Sequence, residues 1–391
     1  MTGSILRIGI DISTLLNHGP DIGAGRYIIN LIRSLLRIDK KNTYVLTGRY
    51  ITGEYLPEIY DLKSQFPDNK IKLEFYGTTS KKLKLWDKIR FPLLELKGLK
   101  ADILHCPDYL IPPTMNKNII LTIHDLAFIR FPEFNFDWFI KKYTGEIKRN
   151  ARISKKIIAD SESTRNDIVN FLGIDPAGVE VVYLAADEIF RKLSEKEKST
   201  EVLKKYQLDK KYILSVGTIE PRKNFAALIR AFNNIKKSKT GSGYKLVIVG
   251  RTGWKSEATY QERENSPYSD DILFTGRITD QYLVQLYNWA ELFVYPSLFE
   301  GFGLPPLEAM SCGLPVIAYD TSSLKEVIGD AGKLVETGDE TELENQVLHV
   351  LENEKIKREL SSKSLIQAKK FRWEETAQKT INLYYKIVSP Q

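Results

Sequence analysis

This sequence predicts an α/β protein of two doubly wound parallel-sheet domains, and three observations predict it. Short apolar runs alternate with helical patterns from the first residues onward, the order expected of parallel strands covered by helices on both faces. The same alternation restarts after a polar stretch near the middle of the chain. The length, 391 residues, exceeds the ~250 at which one hydrophobic core stops growing and a chain divides.

Taken in order, residues 6–12 read as the first strand and 26–37 as the helix after it. Further strands are expected at 44–47, 72–75, 103–106, 119–123, 156–159 and 179–182, which completes a first domain over 1–187. Residues 191–211 are polar and lysine-rich, with the linker near 187–195. Strands then return at 212–216, 245–250, 272–275, 292–295, 316–318 and 333–335. Helices are expected at 224–234, 279–289, 306–311 and 324–328, and from 340 to 371, so the second domain spans 188–371. Trp373, Ala377, Ile381, Tyr384 and Tyr385 fall at helical spacing. A helix with so many large apolar groups must dock, and residues 372–391 are expected to cross back to the first domain.

Composition narrows the function. With 42% apolar and 27% charged residues, the chain is too apolar for disorder. No run reaches the ~18–20 apolar residues of a membrane span, and residues 1–10 lack a secretory n-region and h-region, so a cytoplasmic location is expected. Cys106 and Cys312 fall in different expected domains, which implies neither a disulfide framework nor a cysteine metal site. A net charge of +7 implies an anionic partner. Two basic and aromatic clusters, at 81–91 and 134–156, fit either a peripheral contact with the anionic cytoplasmic face of a membrane or the solvated faces of amphipathic helices. Nucleic acid is not expected, because no zinc-finger spacing, RNP-type strand or sustained basic helix is present.

Ligands of open α/β sheets bind beyond the carboxyl ends of the strands, and four loops there carry chemistry. In N-H-G-P-D-I-G-A-G-R-Y (17–27), Gly23 and Gly25 let backbone N–H groups approach a phosphate, or serve simply as turn residues. In G-T-I-E-P-R-K-N (217–224), Arg222 and Lys223 are adjacent cations before a helix start, an arrangement that calls for an anion such as a diphosphate. In E-G-F-G-L-P-P-L-E (300–308), glycines free the backbone, Pro305 and Pro306 open a helix, and Glu300 and Glu308 can face one polar ligand. His124-Asp125 ends the fifth strand, with His105, also at a strand end, as its competitor for a catalytic role.

Together the E-x7-E spacing of Glu300 and Glu308, the E-P-R-K-N segment, the G-A-G-R-Y loop, His124-Asp125 and the closing F-R-W-E-E-T-A resemble the retaining GT-B glycosyltransferases of family GT4, over nearly the whole chain. The resemblance implies two Rossmann-like domains facing a cleft. It also implies that Arg222 and Lys223 bind the donor diphosphate, aided by amides at Gly23 and Gly25, that Glu308 holds the ribose and that Glu300 contacts the donor sugar. It places the amides of Phe302, Gly303 and Leu304 on sugar hydroxyls, Gly276-Arg277-Ile278 beside the base, and His124 toward the reacting sugar and acceptor. Asp21, close to the expected phosphate, departs from this pattern.

The expected reaction transfers a hexose from a nucleotide-diphosphate sugar to a saccharide or lipid-linked acceptor with retention at the anomeric carbon. GDP-mannose is the first expectation for the donor and a UDP-sugar the second, with no further cofactor. No Asp-x-Asp motif occurs, so no metal is expected. Two alternatives remain at this stage, a GT-B nucleotide-sugar epimerase and a catalytically silent nucleotide-sugar-binding scaffold. A dehydrogenase is disfavoured, because no strand-linked G-x-G-x-x-G with a following acid is present.

Overall fold

A computed structural model describes residues 5–20, 22–91, 93–209 and 211–389, without the side chains of Lys84 and Asp87. Asp21 lies outside the described residues. The chain divides into two compact units, one comprising Met1–Ile129, Asp137–Leu184 and Arg372–Gln391, the other Arg130–Phe136 and Ala185–Phe371.

The first unit is built on seven strands: β1 (Arg7–Asp11), β2 (Thr43–Tyr50), β3 (Lys70–Gly77), β4 (Ile103–Cys106), β5 (Ile119–Ile123), β6 (Lys156–Ala159) and β7 (Val179–Val181). The second is built on six: β8 (Lys211–Val216), β9 (Tyr244–Val249), β10 (Ile272–Gly276), β11 (Leu292–Tyr295), β12 (Val316–Tyr319) and β13 (Lys333–Val335). Every pairing is parallel, in the orders β3-β2-β1-β4-β5-β6-β7 and β10-β9-β8-β11-β12-β13. Strands such as β5 and β11 are buried throughout, because helices cover both faces of a parallel sheet. That is why they appear in the sequence as unbroken apolar runs.

Both sheets reverse their strand order once, between β1 and β4 in the first unit and between β8 and β11 in the second. Helices on either side of a reversal run away from each other over opposite faces, leaving a crevice at the carboxyl ends of the two strands. The loops after β1, β8 and β11 open at these points, which places three of the four expected loops where the topology makes room for a ligand.

The helix Gly23–Ile38 buries Tyr27, Ile28, Leu31, Ile32, Leu35 and Leu36. The helix Trp373–Val388 packs against it within the same unit. Burial of Trp373, Ala377, Leu383, Tyr384 and Ile387 holds that helix in place, and a fully buried aliphatic side chain contributes ~1.5–3 kcal/mol. Among the described residues no helix is long and apolar enough to cross a membrane. Cys106 and Cys312 are both buried and free.

Helices at Leu56–Gln65, Ser80–Ile89, Asp137–Ile153, Glu162–Leu172 and Glu257–Glu264 add to those expected. Two carry capping signals: the Thr79 hydroxyl accepts from the Lys82 N–H and the Ser161 hydroxyl from the Thr164 N–H. The lysine-rich stretch before β8 contains a short helix, Glu201–Lys205. The first glycine loop also differs from expectation, since a short helix, Ser13–His18, follows β1 and the next helix begins at Gly23. Gly23 and Gly25 therefore lie in a helical first turn, where N–H groups have no intrahelical partner and glycine loses little.

Candidate functional site

The carboxyl ends of β8 and β11, neighbours at the reversal of the second sheet, carry Arg222, Lys223 and Glu300. A backbone hydrogen bond from Leu298 N–H to the Arg222 carbonyl, 2.9 Å, pins the two loops together. The Lys223 ammonium donates to Glu300 Oε1 and to the Tyr295 hydroxyl, each at 2.6 Å. Tyr295, the last residue of β11, donates its hydroxyl hydrogen bond to the same Oε1 at 2.9 Å, and Ser297 donates there at 2.5 Å. The Arg222 guanidinium meets Glu300 Oε2 at 3.0 Å and Glu220 Oε1 at 2.6 Å.

This geometry corrects the sequence expectation at one point. The two cations that call for an anion already have carboxylate partners within the protein. Glu220, Lys223 and Glu300 are all buried, and two carboxylates match two cations within the protein. Burial alone pushes the Glu300 carboxyl up, but the Lys223 and Arg222 charges outweigh it and hold its pKa at about 2. Burial and the neighbouring Arg222 push the Lys223 ammonium down, against the pull of Glu300 and Glu220.

Glu308 is buried on the helix Leu304–Ser311 and accepts from the Tyr287 hydroxyl at 3.0 Å. Its carboxylate thus has a different environment from that of Glu300, although the two share one motif. Between them Gly303 caps the helix with φ +103°, where a Cβ would lie 2.8 Å from Leu324 Cδ2. Pro305 and Pro306 carry no N–H, so the donors at this helix start concentrate at Gly303 and Leu304, two of the three amides expected to serve a sugar. The preceding carbonyls of Glu300 and Phe302 lie 2.9 and 2.8 Å from the Ser323 hydroxyl, and the buried Phe302 ring packs on Phe371. Gly276, with φ +69°, ends β10 two strands from β8, roughly 10 Å across the sheet. Arg277 after it is exposed and Ile278 half-buried.

In the first unit β5 and β6 are paired in register at Ile123 and Ala159, so the next residues on each, His124 and Asp160, emerge side by side. His124 Nδ1 lies 2.7 Å from Asp160 Oδ2 and Nε2 lies 3.2 Å from the Pro107 carbonyl. Burial opposes the charged ring, but the Asp160 carboxylate outweighs burial, Asp108 and Asp125 add to it, and the pKa rises to about 9. Facing two acceptors, His124 is a charged hydrogen-bond donor. The Tyr27 ring meets it edge-on at 4.9 Å.

His105, its competitor, is fully buried between the Tyr384 hydroxyl (2.7 Å) and Thr122 Oγ1 (3.0 Å). Burial pushes its pKa down to about 3, so it is a neutral structural group that helps dock the last helix. The expected amides at Gly23 and Gly25 open their helix behind Ile22, which offers no side-chain cap, and the first helical hydrogen bond runs from Arg26 N–H to the Ile22 carbonyl. The two glycines have different reasons to exist. A Cβ on Gly25 would fall 1.9 Å from the Gly19 carbonyl oxygen, whereas one on Gly23 would meet nothing within 4 Å.

Comparison with known proteins decides the family. The description "Glycosyl transferases group 1" matches residues 196–367 and "Glycosyltransferase Family 4" matches residues 22–188. The O-antigen chain mannosyltransferase B of Escherichia coli is 32% identical over 369 residues, 93% of this chain and 96% of that protein. The chain is a family 4 glycosyltransferase. A Campylobacter jejuni N-acetylgalactosaminyltransferase, whose name gives a diphospho-undecaprenol-linked acceptor, is 30% identical to this glycosyltransferase over 218 residues, 55% of this chain and 56% of that one. A crystal structure of a glycosyltransferase from Rickettsia africae shares the GT-B fold, with a TM-score of 0.74 over 99% of this chain and 100% of that one at 17% identity.

Sequence reasoning about this glycosyltransferase missed the groups that hold the charged residues in place: Glu220, Tyr287, Tyr295 and Ser297 in the second unit, Tyr27 and Asp160 in the first. Glu220 and Tyr27 stand inside the quoted loops, and Tyr295 and Asp160 at or just after the ends of expected strands, but position alone does not pair them with the charged residues.

Proposed function

We propose that this glycosyltransferase moves a hexose, mannose first among the candidates, from a nucleoside-diphosphate sugar to a saccharide or lipid-linked saccharide, with retention and without a metal. The observation that carries the reading is the Arg222–Lys223–Glu300 cluster at the reversal of the second sheet. Arg222 and Lys223 are the groups to stabilise charge growing on the departing diphosphate. Glu308 and the Gly276–Ile278 segment suit the ribose and base, and Glu300 with the Phe302, Gly303 and Leu304 amides suits the sugar. Gly23 and Gly25 would add phosphate donors, and His124, a donor held by Asp160, would orient the reacting sugar and its acceptor. The bond from the anomeric carbon to phosphate oxygen breaks, the acceptor oxygen bonds to the same face, and its proton passes to the departing phosphate. The absence of an Asp-x-Asp motif and the similarity to the Escherichia coli mannosyltransferase support metal independence and the first choice of donor respectively.

A lipid-linked acceptor is supported by an outward apolar face in the first unit. On the helix Ser80–Ile89, Trp86 is buried, while Leu85 and Ile89 point outward among the exposed Lys81, Lys82 and Lys88. Phe91 and Leu96, just beyond the helix, are exposed as well, and all four apolar groups are 54–63% exposed. Apolar groups ringed by ammonium groups suit an anionic bilayer leaflet. In the 134–156 cluster Phe139 and Tyr143 pack against the first unit's core, while Phe136 and Trp138 are exposed.

The deciding experiment incubates the protein with GDP-mannose, UDP-glucose and UDP-N-acetylglucosamine and an undecaprenyl-diphosphate saccharide, with EDTA present. The product is then read by NMR for anomeric configuration. Release of nucleoside diphosphate only with acceptor, with the donor's configuration retained, is the expected result. An inverted product, or turnover only without EDTA, overturns it.

A further inference from the structure

Glu300 is a carboxylate with four polar partners in one closed network: Lys223, Tyr295 and Ser297 on Oε1, Arg222 on Oε2. If the proposed donor site stands, both of its cations are also the groups that meet the diphosphate. Two anions then compete for the same two cations. A diphosphate that reaches Lys223 and Arg222 while Glu300 stays in place puts like charges side by side in a buried, low-dielectric setting, which is costly.

We propose that Glu300 is an internal counter-anion for Arg222 and Lys223, displaced when a nucleotide sugar binds and returned when the diphosphate must leave. With the nucleotide sugar, the released carboxylate has a new partner in the sugar hydroxyls, so the exchange is compensated. Bare nucleoside diphosphate has no sugar to offer, and Glu300 opposes it. The one carboxylate therefore selects donor over product and helps to expel the product after transfer. Tyr295 is the positioning residue of the exchange. Its hydroxyl bridges Lys223 and Glu300, and its ring lies 5.1 Å from the Lys223 ammonium, so it keeps the cation in place when the carboxylate moves.

The test uses isothermal titration of the whole protein with GDP, UDP and their sugar esters. In Glu300→Gln the competing charge is gone, and the bare diphosphate that binds wild type is expected to bind roughly tenfold tighter, while the advantage of its sugar ester shrinks. Glu300→Asp retains the charge and is expected to leave bare-diphosphate affinity near wild type. A gain in affinity is a readout that structural damage does not produce. Unchanged or weaker diphosphate binding in Glu300→Gln, or the same gain in Glu300→Asp, overturns the inference and leaves the donor site standing. A wild type that binds no nucleotide overturns both. Should Glu300→Gln lack a cooperative thermal transition, Tyr295→Phe, which loosens Glu300 from Lys223, is expected to tighten bare diphosphate by a smaller factor, and no gain there overturns the inference.

Discussion

Lys223 and Glu300, 77 positions apart in sequence, form a buried ion pair 2.6 Å long. Breaking a buried ion pair costs up to about 3–5 kcal/mol, and loss of Lys223 leaves Arg222 as the remaining cation against Glu300. Lys223→Met is therefore expected to lower unfolding free energy by up to that amount, and Lys223→Met combined with Glu300→Gln to recover part of it. Urea unfolding of the two single variants and the double variant measures the coupling, and additive losses would show that the pair is not coupled.

His124 makes stability fall on the alkaline side. Its pKa in the folded protein, about 9, lies above the ordinary 6.5, so the folded state holds the proton more tightly than the unfolded chain. This contribution is complete below about 6.5 and is lost as pH rises toward about 9, at no more than about 1.4 kcal/mol per pH unit. Thermal midpoints of wild type and Asp160→Asn between those limits should diverge at low pH and converge at high pH.

His105 acts in the opposite direction. Its folded pKa, about 3, lies below 6.5, so the unfolded chain takes up the proton first and stability declines as pH falls from about 6.5 toward about 3, by up to about 1.4 kcal/mol per unit. His105→Asn should flatten that acid limb and reduce stability at neutral pH, with the turnover of the folded fraction preserved. A loss of turnover without loss of stability would restore His105 as a catalytic candidate.

Gly23 and Gly25 should separate on substitution to alanine. Gly25→Ala pushes a methyl into the Gly19 carbonyl and is expected to destabilise by roughly 1–3 kcal/mol. Gly23→Ala meets open space at a non-positive φ and is expected to gain roughly 0.4–1 kcal/mol while raising KM for the donor if this amide serves a phosphate. Unfolding curves and donor KM for both variants check it.

The apolar face of the Ser80–Ile89 helix should matter to lipid and not to folding. Leu85→Ser with Ile89→Ser is expected to weaken binding to vesicles of phosphatidylglycerol and phosphatidylcholine at least about tenfold, with the thermal midpoint unchanged. Wild-type binding should weaken as salt rises. Equal sedimentation of wild type and variant with vesicles would remove this face from the reading.

The strands were legible because local chemistry writes them. A parallel strand buried on both faces must be a short apolar run, so β4, β5 and β11 are bounded in the structure as in the sequence. The loops that carry Arg222, Lys223 and Glu300 were legible for a related reason: glycine, proline and charge at a strand end are rare unless the backbone must turn toward something. The helices at Leu56–Gln65 and Glu257–Glu264 were less so, since many of their residues are exposed and their apolar period is weak.

The sequence by itself determined the two-sheet α/β class, the family and the identity of the charged residues at the strand ends. Tertiary structure alone decided how those charges are balanced. Glu300, together with Glu220, balances Arg222 and Lys223 because β8 and β11 are neighbours in the sheet, His124 is charged because β6 delivers Asp160 beside it, and His105 is neutral because Tyr384 closes over it from the far end of the chain. Charge state depends on distance, and distance between residues remote in sequence is set by the packing of the sheets and helices, which no local pattern records.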